Sequence, residues 1–95
     1  MIDRDTVWHE ISQVIDPELG LPVTDMGLID QLDIQGKDVE VSFHLTMPFC
    51  PDHLALGMAR DIKHRVSALP EVDKVRVIVT GHVHADELNR QLEAA

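Results

Sequence analysis

Residues 39–45 alternate strictly between apolar and polar side chains, and this period of two constrains the fold more than any other feature of the chain. Val39, Val41, Phe43 and Leu45 share one face, while Glu40, Ser42 and His44 share the other. That is the pattern of a strand with one face in a core and one facing water. After a short break, Ala55, Ala59, Ile62, Val66 and Leu69 recur at steps of four and three. This spacing predicts a helix over residues 51–69 with one buried stripe. Pro51 suits the first helical position, Asp52 complements the helix dipole, and Pro70 stops the helix. Val75, Val77 and Val79 then predict a strand over residues 73–79.

A strand, a helix and a strand in that order imply parallel strands with a right-handed crossover. Upstream, residues 28–34 predict another strand, joined to 39–45 through a tight turn at 35–38 and therefore antiparallel to it. A first helix is expected from about residue 3 or 5 to 14 or 15, with Val7, Ile11, Val14 and Ile15 as its stripe and Asp16-Pro17 as its end. A short C-terminal helix carries Leu88 and Leu92. The expected fold is α/β of the α+β type, in the order αββαβα: a small mixed three-stranded sheet with helices packed on one face. Its 95 residues suit one domain, residues 1–95, with a single core.

This topology places the start of the first strand and the ends of the other two on one edge of the sheet. Ligands of open α/β sheets gather outside the carboxyl ends of parallel strands. Four segments meet there: Asp16-Pro17-Glu18, Asp25-Met26-Gly27, Thr46-Met47-Pro48-Phe49-Cys50-Pro51 and Thr80-Gly81-His82-Val83-His84. Cys50 is the only cysteine in the chain. Most lone cysteines are small buried hydrophobes, but a helix entrance is expected to favour the thiolate, the form that binds metals and attacks electrophiles. Thiolate, imidazole and carboxylate together suit zinc or iron. His82 and His84 point the same way if the chain is extended there, which makes Cys50, His82 and His84 the candidate metal ligands. His44 is expected to face solvent near the same edge.

Charge narrows the partners. Seventeen acidic residues against eight basic ones give a formal net charge of −9, which argues against nucleic acid and anionic membrane surfaces, since both need a basic face. Aromatic residues make up only 3%, too few for base-stacking platforms. One cysteine cannot form an internal disulfide, and residues 1–5 lack the basic start of a signal peptide. A cytoplasmic setting is the expectation.

Taken together, Asp16-Pro17-Glu18, Asp25-Met26-Gly27-Leu28, the Thr46 to Pro51 motif and Leu69-Pro70-Glu71-Val72-Asp73-Lys74-Val75 resemble the small iron–sulfur cluster assembly domain family. That family was formerly described as a domain of unknown function. Its branches include SufT-like and PaaD-like proteins and cytosolic iron–sulfur targeting subunits. The resemblance implies an accessory role in assembling iron–sulfur clusters or transferring them to client proteins. It also implies partners among the assembly machinery and its clients, and a homodimer. Its cofactor-binding positions fall on Cys50, with Asp16, Glu18 and Asp25 as acidic positions and Thr46 opening the cysteine motif. The cargo implied is iron or an iron–sulfur cluster, with zinc as the alternative. One thiolate per chain cannot supply the usual four cysteines of a cluster, so any cluster must be shared or carry mixed ligands. Many relatives follow the third strand with a tryptophan- and proline-rich segment, where this chain has Thr80-Gly81-His82-Val83-His84. The sequence is also compatible with a metal-free adaptor for maturing a client enzyme, and with a thiol-dependent enzyme with Cys50 as nucleophile.

Overall fold

A computed structural model describes residues 2–45 and 47–94. The elements are α1 (Arg4–Ile11), β1 (Ile29–Gln35), β2 (Asp38–His44), α2 (Asp52–Ser67), β3 (Lys74–Thr80) and α3 (Ala85–Ala94). The order αββαβα and the mixed three-stranded sheet are those expected from the sequence. Strand β2 lies in the middle, antiparallel to β1 and parallel to β3.

Strand β2 buries Val39, Val41 and Phe43 and leaves Glu40, Ser42 and His44 partly exposed, as its alternation requires. Helix α2 lays Ala55, Ala59, Ile62 and Val66 on that apolar face. Val7 and Ile11 of α1 and Leu88 and Leu92 of α3 complete the same core. Pro51 stands one residue outside α2, as its N-cap with an extended backbone, rather than as its first residue.

Helix α1 ends at Ile11, not at residue 14 or 15. The Ser12 hydroxyl donates to the Trp8 carbonyl at 2.9 Å, and Val14 N–H reaches back only to Ile11, so the last turn tightens and the helix stops. Beyond it the chain pairs with its own return. Val23 N–H donates to Val14 O, and Asp16 N–H donates to Leu21 O. Val14 remains in the core, but Ile15, expected in the stripe, is turned outward in a bridge with Pro22.

Strand β3 is an edge strand, and α3 covers that edge. The Asn89 side chain accepts from Val79 N–H at 2.8 Å and donates to Val79 O at 3.0 Å. One amide thus satisfies both backbone groups that a further strand would have paired. At the opposite edge a bulge between Ile29 and Gln31 brings Asp30 to His44, whose Nδ1–H donates to its carboxylate at 2.8 Å. His44, expected to be solvated, is hydrogen-bonded to Asp30 on the polar face. Among the described residues no helix is long and apolar enough to cross a membrane.

Replacement of Asn89 by Ala leaves the partly buried Val79 groups without a partner. Asn89→Ala is expected to lower stability by about 1–3 kcal/mol, read as a reduced urea midpoint at unchanged slope. A loss below about 0.5 kcal/mol would mean that water serves this edge equally well.

Candidate functional site

The register carries the chemistry to one edge of the sheet. His44 pairs with Thr80 at the ends of β2 and β3, and Leu28 O, just ahead of β1, accepts from His44 N–H at 3.0 Å. The chain leaves β2 through Met47, turns with Cys50 N–H donating to Met47 O, and enters α2. It leaves β3 through Gly81, whose φ of +70° is a conformation that side chains disfavour. That turn returns the chain across the end of β2, toward the cysteine.

The returning segment straps the cysteine loop at two points. Val83 N–H donates to Pro48 O at 3.1 Å, and His82 Nε2–H donates to the Cys50 carbonyl. His84 N–H donates to His82 Nδ1 at 2.9 Å. With Nδ1 accepting, the His82 proton belongs on Nε2, so this ring is neutral and both its nitrogens are engaged by backbone. Its side chain is only 1% exposed. His84 lies outside, with Nδ1–H directed to both Asp52 carboxylate oxygens at 2.9 and 3.0 Å. Asp52, His82 and His84 offer donor atoms within 4.8 Å of one another, a spacing that could hold a metal ion; the Cys50 sulfur is not in that set.

On its other side Cys50 meets the loop after α1. Asp16, Pro17, Glu18, Leu45, Met47 and Cys50 are among the residues around a narrow cavity of about 10 Å³, room for about one water. Asp16 is nearly buried, and its Oδ1 accepts from Glu18 N–H at 2.7 Å and Leu19 N–H at 3.2 Å. It shapes the loop in an Asx-type turn and so carries Glu18 to the thiol. Asp25 sits exposed in the turn ahead of β1 and does not line this cavity. Thr46, expected at the site, lies outside the described residues. A larger hollow of about 380 Å³ lies at the far end of the sheet, around Glu40 and Arg76; none of the expected site residues lines it.

The thiol is not activated in the direction the helix entrance suggested. Burial pushes Cys50 above its ordinary range, and the carboxylates of Glu18, Asp16 and Asp52 push it further the same way. Two features escaped the sequence reading. Asp52, expected to complement the helix dipole, also meets both His84 and His82. Met47, Phe49 and Val83 stand exposed around the thiol loop, Phe49 to 77%. The clue was available, since an apolar residue between two prolines has no period to bury it.

The class of protein is thus a small α+β domain that presents one partly exposed thiol among carboxylates where β1 begins and β2 and β3 end. Residues 4–79 match the profile of the iron–sulfur cluster assembly protein family, and the chain belongs to that family. It is 35% identical over 95 residues to an uncharacterized protein of Methanocaldococcus jannaschii, covering 98% of this chain and 97% of that one. It is 31% identical over 97 residues to mouse cytosolic iron-sulfur assembly component 2B, covering 96% of this chain and 59% of that one. An iron-sulfur cluster carrier protein of Mycobacterium leprae is 43% identical over 49 residues, which are 50% of this chain and 13% of the carrier. A domain of unknown function from Bacillus anthracis superposes with a TM-score of 0.73 at 23% identity, over 95% of this chain and 87% of that one. It shares the fold.

The carboxylates make a checkable prediction. Because Glu18 raises the Cys50 pKa, Glu18→Gln should move the midpoint of Cys50 alkylation to lower pH. At a fixed neutral pH the variant should label faster than wild type. An unchanged midpoint would remove Glu18 from the electrostatics of the thiol.

Proposed function

We propose that the protein is an accessory factor in iron–sulfur cluster assembly or transfer, with the Cys50 thiolate as its ligand for iron or a cluster. The observation that carries this reading is the partly exposed, lone thiol beside Asp16 and Glu18 on the strapped loop, in a chain of the assembly family. The cavity beside the sulfur has about 10 Å³, enough for a single small species. A cluster is too large for that cavity and would meet Cys50 from solvent, where other ligands can reach it. One protein thiolate leaves most positions of a cluster to be filled from outside. Such cargo is exchangeable rather than resident, which suits handing it to a client.

Glu18, with Asp16 shaping its loop, supplies hard oxygen near the soft sulfur, a mixed set compatible with iron or zinc. Asp25 enters only if its turn moves. His84 and Asp52 stand as further candidate ligands. His82 joins them only by releasing the Cys50 carbonyl, so in the strapped state it is a positioning residue for the loop. The raised thiol pKa also favours this reading over a thiol-dependent enzyme, which needs a ready thiolate near neutral pH. A metal must displace the thiol proton, so uptake should increase with rising pH.

Anaerobic reconstitution with iron and sulfide, and separately with zinc, tests the proposal. Wild type should take up iron with sulfur-to-iron charge-transfer absorption, and Cys50→Ser should lose at least about tenfold in retained iron, since second partners of metal sites alone cost 10–100-fold. Equal retention by Cys50→Ser would refute the ligand role. Retention of neither metal by wild type would favour the metal-free adaptor.

A further inference from the structure

Two hollows adjoin along α2. The one at Cys50 and a second of about 170 Å³ share Pro17, Leu54 and Met58 as walls, and the second adds Ile15 and Gly57. Together they form a groove between the loop after α1 and the exposed side of α2, running away from the thiol. Among the large apolar side chains that stand exposed, Ile15, Leu19 and Leu21 lie on that loop, and Met47, Phe49 and Val83 lie about its thiol end. Exposed apolar side chains concentrated in this way mark an interaction surface.

Gly57 gives an independent indication. It lies inside α2, where glycine costs about 1 kcal/mol relative to alanine. Its φ is not positive, and a Cβ built on it meets nothing within 4 Å. Neither backbone conformation nor packing within the chain calls for glycine there. A close approach from outside would.

Charge selects the occupant. The acidic groups along the groove are Asp16, Glu18 and Asp61, with Asp52 at the thiol end. Arg65 pairs with Asp61 at 3.4 Å and reaches Glu10 at 3.9 Å. Among the described residues lining the two hollows there is no Lys or Arg, and His53 is the one imidazole. A second copy of this chain would bring the same acidic rim and a net charge of −9 against it. We infer that the groove over Gly57 docks a different protein, through an apolar side chain flanked by Lys or Arg. The groove opens at Cys50, so its occupant is brought beside whatever that thiol carries. The inference does not depend on metal binding, and failure of metal uptake leaves it standing.

The test is an NMR titration of the isotope-labelled full chain with the peptide Lys-Lys-Leu-Lys-Lys, using Glu-Glu-Leu-Glu-Glu as control. Shifts should centre on Ile15, Leu54, Gly57 and Met58, and should weaken at least about threefold between about 50 and about 300 mM salt, as screening demands. Gly57→Leu, which fills the groove from an exposed position, should weaken binding at least about tenfold, the scale on which interface hot spots act. Gly57→Ala should raise thermal stability, a check that substitution here leaves the fold intact. Equal binding of the acidic peptide would overturn the inference. So would shifts centred on Asp86 and Glu87 of α3, or unchanged affinity in Gly57→Leu. Shifts of the same groove residues on dilution of the protein alone would overturn it in favour of a second copy.

Discussion

The parallel pairing of β2 with β3 is the constraint on which the rest of the structure depends. Phe43 lies opposite Val79 and His44 opposite Thr80, so both strands end at the same level and α2 must cross between them. The crossover buries Ala55, Ala59, Ile62 and Val66 in one core with Val41 and Phe43. It also determines where α2 begins, beside the end of β3. The Cys50 loop thereby comes within reach of the segment after Gly81, and His82 and Val83 close upon it. Core packing and thiol placement follow from one topological choice.

Three loops without periodicity then decide the chemistry. The loop after α1 owes its shape to Asp16, whose carboxylate gathers the N–H groups of Glu18 and Leu19. That turn sets Glu18 near the sulfur and Ile15, Leu19 and Leu21 toward solvent. The loop holding Cys50 is strapped from the far side by a neutral histidine. The thiol therefore sits between a carboxylate-bearing wall and a loop held by two hydrogen bonds, partly buried and raised in pKa. It is held protonated until something displaces the proton, which suits a ligand that loads and unloads better than a standing nucleophile.

The sheet order, the α2 stripe and the convergence of strand ends were legible in the sequence because each rests on a period or a handedness rule. The end of α1 was not. Val14 continued the apolar spacing, but the Ser12 hydroxyl and the pairing of Val14 with Val23 outweighed it. The state of the thiol was misread for a related reason. The helix entrance is visible in Pro51 and Asp52, whereas the burial of the thiol, and after it the opposing charge of Glu18, arise from loop packing with no periodic signature. Asp52 was placed correctly at the head of α2, yet its role as partner of His84 needed the fold of residues 81–84.

Cys50 is the one thiolate this chain offers to exchangeable cargo, and its neighbouring carboxylates and imidazoles do not complete a cluster without ligands from outside the chain. Native mass spectrometry of the anaerobically reconstituted protein tests this most directly. Every cluster-bearing species should contain a second source of ligands: another chain, a bound client or a small thiol. A single chain carrying a complete cluster with no added thiol would contradict the account.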